Sequence, residues 1–135
     1  FASGTELVSA CADSTIKLWN LETATLERTF SGHTNDRHFV GLSVNQDYIA
    51  CGSEENAVYG YYKAIPKPFV QYRFASQDPL TGEDVQDDDE TVFISSVCWC
   101  PRHPTMLVAA NSLGAIKVLD LAEPVCESDL SDRCG

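Results

Sequence analysis

The chain has 135 residues, 44% of them hydrophobic, with a formal net charge of −11. Its pI near 4.4 argues against wrapping nucleic acid, because neutralising phosphates needs clustered Lys and Arg. No apolar run is long enough to span a bilayer, and nothing reads as a signal peptide, so no membrane partner is expected. The chain opens Phe-Ala-Ser-Gly without a Met and reads as a piece of a longer protein.

Short β-rich runs follow one another, separated by turn residues, with no helical periodicity. Residues 6–11, ELVSAC, make an apolar strand that stops at Asp13-Ser14, where short side-chain oxygens can bond nearby N–H groups and turn the chain. Thr15–Asn20 returns it, and a third strand is expected over Leu26–Phe30. After Ser31-Gly32-His33 and a polar turn at Thr34–His38, a new unit opens with a strand at Phe39–Val44. It continues with Tyr48–Cys51, Val58–Tyr62 and Phe69–Phe74. Gly60 stands inside the third of these and should loosen it, since it offers no side chain to fill the sheet.

Residues 75–91 break the rhythm. Seven of the twenty carboxylates fall between Asp78 and Glu90, and the stretch reads as a solvated loop. Those carboxylates lack the spacing of a calcium loop, so no metal is expected there. Strands resume over Val92–Cys100, Met106–Ala110 and Ala115–Leu121, with a turn at Pro101–Pro104. Residues 122–135 have little to bury and are expected to be a disordered tail. The six cysteines form no C-x-x-C pair, and four of them sit among apolar strand neighbours. That placement suits reduced thiols in an intracellular protein better than a disulfide scaffold.

A repeat runs through these strands. Ile16-Lys17-Leu18-Trp19-Asn20 recurs 42 residues on as Val58–Tyr62, and again, after the acidic insertion, as Ile116–Asp120. A period of roughly 40–45 residues with four strands per unit marks a WD-type β-propeller blade. Residues 6–30 then supply three strands of one blade, 39–74 a full blade and 92–121 three strands of the last. The fold class is all-β: about three blades at the C-terminal end of a larger ring, over residues 1–121.

Asp13, Trp19 and His33 fall at positions that serve a blade's internal hydrogen bonds rather than catalysis. Cys11 stands where a strand hydroxyl is usual, while Glu55 and Tyr61 take the Asp and Trp places in the second blade. His38 and His103 stand alone, and no Ser/His/Asp set or phosphate-cradling loop is present. No catalytic residue and no cofactor are expected. Phe39 follows a polar turn where a connecting loop enters a strand. It could offer a ring face to a ligand or pack in the blade core.

Phe39-Val40-Gly41-Leu42, Tyr48–Glu54 with Val58-Tyr59, Phe93–Trp99, Ala109–Ser112 and Gly114–Leu119 resemble the propeller of the constitutive-photomorphogenesis RING ubiquitin ligases. They also resemble the related propeller of the kinase-like suppressor-of-phytochrome-A proteins. The resemblance covers roughly residues 4–121 and implies a seven-bladed ring that follows a RING finger and a coiled coil. It implies capture of Val-Pro motifs of transcription factors and photoreceptors for ubiquitination. Of the residues lining that dipeptide's pocket, only Phe39 falls in this chain, with Arg37 beside it as a weaker candidate. Zinc would belong to the RING alone. The resemblance further implies nuclear and cytoplasmic residence, and as partners a cullin4–DDB-type ligase complex and kinase-like WD40 proteins. The alternative is a non-catalytic WD40 scaffold such as the kinase-like partner.

Overall fold

A computed structural model describes residues 3–74, 76–77, 80–81, 84–85 and 91–121. Alternating apolar and polar residues over short stretches favour extended backbone, and the described residues form strands and no helix. In chain order the strands are β1 (Glu6–Cys11), β2 (Thr15–Asn20), β3 (Thr25–Ser31), β4 (Leu42–Val44), β5 (Tyr48–Cys51), β6 (Ala57–Tyr62) and β7 (Pro68–Arg73). They continue as β8 (Ser76–Gln77), β9 (Asp84–Val85), β10 (Ile94–Cys100), β11 (His103–Asn111) and β12 (Ile116–Asp120).

Within each sheet successive strands pair antiparallel, giving sheets β1-β2-β3, β4-β5-β6-β7 and β10-β11-β12. The first hairpin turns through Ser14, whose φ of 63° is left-handed, and Asp13 accepts from the Thr15 N–H at 3.1 Å. Val8, Ile16, Leu18 and Phe30 of the first sheet share a core with Ile49, Cys51, Tyr59 and Tyr61 of the second. On the opposite face of the second sheet, Ala50, Val58 and Phe74 meet Ile94, Val97, Trp99 and Leu107 of the third. Strands β5 and β6 of the middle sheet are therefore buried on both faces. Five consecutive residues of β6, Ala57–Tyr61, are buried, which is why its sequence reads as a continuous apolar run rather than an alternation.

The structure departs from the sequence reading at four places. The strand expected over 39–44 begins only at Leu42, because Gly41 takes a φ of 77° and Phe39 and Val40 stay outside the ladder. The turn at 101–104 shortens to Pro101-Arg102, and β11 starts at His103. Within the acidic insertion, β8 and β9 pair as a short two-stranded ladder, Ser76 opposite Val85 and Gln77 opposite Asp84. Gly60 leaves no gap in its sheet. A Cβ there would lie 2.5 Å from Val70 Cγ1, so the space is already filled from β7. The rest of the acidic insertion between 75 and 90, apart from 80–81, and the 122–135 tail lie outside the described residues.

Candidate functional site

The segment joining β3 to β4 is hydrogen-bonded to the turn between β5 and β6. Glu54 organises it. Its backbone N–H donates to the Thr34 carbonyl at 2.9 Å. Its carboxylate accepts the backbone N–H groups of Asp36, Arg37 and His38, each at 2.7 Å. The His38 ring adds Nδ1 at 2.8 Å from Glu54 Oε1. Partial burial works to raise the Glu54 carboxyl, but the donors of Asp36, His38 and Arg37 outweigh it and hold it at about 2.

Two neighbours fix the far end of the segment. The His38 ring stacks on Phe93, with centroids 4.2 Å apart and planes 17° apart. Val40 is buried, and the Gly41 carbonyl accepts from the Gly52 N–H at 3.2 Å. Phe39 lies between these anchors and is 85% exposed. It lines a cleft of about 540 Å³ with Arg37, Val8, Ala10, Cys11 and Leu42. Arg37 and Phe39 therefore share one cleft, and within these three sheets the Phe39 ring is not packed in a core. An aromatic face beside a guanidinium and an apolar wall can hold a short apolar segment with a polar or acidic flank.

The repeat residues lie apart from this cleft's exposed rim. Asp13 serves its own hairpin: the Thr15 hydroxyl leads in lowering its carboxyl, and the Cys11 thiol also contributes. Trp19 donates from Nε1 to Ser9 Oγ at 2.9 Å, so Ser9, not the Cys11 position, supplies the strand hydroxyl. His33 is buried with Nδ1 2.9 Å from the Tyr61 hydroxyl, and their rings meet edge-on at 6.0 Å. Desolvation lowers the His33 pKa, while Glu55 and Asp13 act in the opposite sense. Glu55 accepts from Tyr59 at 2.7 Å and from the Thr34 hydroxyl, which ties the start of the segment to β6.

Sequence reasoning missed Glu54, His38, Phe93 and Ser9. Glu54 read as an ordinary turn carboxylate, and its partners lie 16–18 residues away in sequence, beyond the reach of any local pattern. Among the described residues no cluster of His, Cys, Asp or Glu could hold a metal ion, and Cys11, Cys51, Cys98 and Cys100 are free thiols.

The sheets and their repeat are those of a WD40 β-propeller. A family model described as "WD domain, G-beta repeat" matches residues 1–20. The β-propeller domain of Cps50 (Swd1) from Myceliophteria thermophila superposes with a TM-score of 0.68 at 21% identity, covering 92% of this chain and 35% of that one. Within that fold class the chain is similar to two plant proteins in particular. It is 51% identical to the E3 ubiquitin-protein ligase COP1 of Arabidopsis thaliana, over 90% of this chain and 18% of the relative. It is 47% identical to the SUPPRESSOR OF PHYA-105 1 protein of the same plant, over 90% of this chain and 12% of the relative. The chain thus spans less than a fifth of the length of either relative.

Proposed function

We propose that this chain is part of the substrate-recognition propeller of an E3 ubiquitin ligase, and that its Phe39 rim captures Val-Pro motifs of transcription factors and photoreceptors for ubiquitination. The observation that carries this reading is the exposed Phe39 ring, set beside an apolar cleft and next to Arg37. An aromatic this large is normally withdrawn from water, and an apolar ligand would cover it. Burying Val or Pro against such a ring contributes about 1.5–3 kcal/mol, enough for a transient recognition contact. Arg37 can meet a carboxylate flank of the bound segment. The chain itself does no chemistry in this scheme. Ubiquitin transfer belongs to a RING elsewhere in the full-length protein, working with a cullin4–DDB-type complex and kinase-like WD40 partners in the nucleus and cytoplasm.

The test is a titration of a synthetic peptide with a central Val-Pro pair against the full-length protein and its Phe39→Ala variant. Weakening of about tenfold is expected, the size of a typical interface anchor. Unchanged affinity would remove Phe39 from the site.

A second reading is favoured by the likeness to SUPPRESSOR OF PHYA-105 1: the chain belongs to a non-catalytic scaffold of the kinase-like type. The sequence of the full-length protein decides between the two, through RING cysteines with heptads or a kinase-like domain.

A further inference from the structure

An exposed aromatic binds more tightly when the backbone beneath it holds still, since ordering a loop on binding subtracts from affinity. The segment before Phe39 has no ladder of its own, because β3 ends at Ser31 and β4 begins at Leu42. Its order comes from a side chain on the neighbouring turn. Three successive N–H groups, those of Asp36, Arg37 and His38, converge on the Glu54 carboxylate at 2.7 Å each. Such a concave run of amides is an anion-binding nest, and Glu54 occupies it from within the chain. The same Oε1 takes the His38 ring, which orients that ring against Phe93. His38 is thus fixed on one side of Phe39 and buried Val40 on the other. The ring between them stands in solvent.

We infer that Glu54 is the positioning residue of the Phe39 site: it touches no ligand, and it sets affinity by locking residues 36–38 so that the Phe39 ring is presented ready-made. The inference rests on the peptide-binding reading above and adds a specific cause for its strength. Nothing on the exposed face of Phe39 is needed from Glu54, whose side chain is 14% exposed and turned to the amides.

The experiment has two arms, both on the full-length protein. The first follows hydrogen exchange at the amides of Asp36, Arg37 and His38. Glu54→Gln keeps the shape and one acceptor but turns an NH₂ toward an N–H, and Glu54→Ala removes all acceptors. Exchange at these three amides should quicken in the order wild type, Gln, Ala, while β5 and β6 keep their protection. Unchanged exchange at the three amides overturns the clamp whatever the peptide does.

The second arm titrates the Val-Pro peptide in a double-mutant cycle with Phe39→Ala. Glu54→Ala should weaken binding about tenfold and Glu54→Gln about threefold, as expected for loss of charge-assisted hydrogen bonds. In the Phe39→Ala background Glu54→Ala should have almost no further effect, because the two act through one ring. Equal weakening in both backgrounds would mean that Glu54 acts elsewhere and overturns the inference. If Phe39→Ala itself changes nothing, the peptide-site reading fails while the exchange arm still judges the clamp.

Discussion

The His38 ring lies flat on Phe93, centroids 4.2 Å apart, and so joins the segment before β4 to the one before β10. It is a contact between the connections of two neighbouring sheets rather than between their strands. Removing either ring should loosen one end of the Phe39 segment without opening the cores, since neither residue belongs to the buried clusters. His38→Ala should therefore cost only about 0.5–1.5 kcal/mol in chemical denaturation, the size of an aromatic pair. The same variant should measurably weaken the peptide titration. A global loss much larger than this range would place the ring pair in the core instead.

Gly52 is the tightest point below the site. A Cβ there would come 2.0 Å from the Val40 carbonyl oxygen and 2.6 Å from that of Ile94, both backbone atoms that cannot swing aside. Gly52→Ala should destabilise by at least about 1–3 kcal/mol, as overpacking does. Gly114→Ala faces open space but takes a φ of 87°, so any smaller loss there reflects backbone strain alone. Thermal melts of the two variants compare the two costs directly.

Acid should release the segment. Glu54 has its carboxyl depressed to about 2 in the folded chain, from an ordinary value of 4.5. A depressed carboxyl contributes stability that is fully present above its unfolded value and is lost as pH falls through the folded one. The window is therefore about pH 5 down to about pH 2. Wild type and Glu54→Gln should differ most above pH 5 and converge toward pH 2 in denaturation midpoints. A difference that persists undiminished at pH 2 would assign the effect to shape rather than charge.

Tyr61 gives His33 a partner. The His33 Nε2 atom is buried without a hydrogen bond, and Tyr61 Oη stands 2.9 Å from Nδ1. Tyr61→Phe would leave both ring nitrogens unpaired in the core. The expected cost is about 1–3 kcal/mol, the desolvation of an unsatisfied buried polar group. Urea unfolding of the variant measures it, and a neutral result would mean that His33 finds another partner.

The strands were legible because their signals are local. Thr15–Asn20 and its two echoes carry β-branched or aromatic residues, and β2, β6 and β12 stand where the repeat, allowing for the acidic insertion, puts them. Errors came where distant atoms decide. Phe39 and Val40 look like strand residues, but Gly41 presses against the Ser96 backbone with a left-handed φ and delays the ladder. Gly60 reads as a gap in the strand pattern, but Val70 lies opposite it and fills the space. Phe39 is singled out by resemblance alone, since the residues around it leave its ring free to face either way. The carboxylate that holds its segment carries no pattern at all in the chain.

Strand β6, buried on both faces, has a genetic consequence. Along β6, Ala57, Tyr59 and Tyr61 belong to the core shared with β1, β2 and β3, while Val58 between them belongs to the one shared with β10 and β11. Residues adjacent in the chain therefore answer to different sets of partners. A pairwise mutational scan across Ala57–Tyr61 should separate into two interleaved epistatic groups. Compensating changes for Tyr59 should arise near Ile16 or Leu18, and those for Val58 near Trp99 or Leu107.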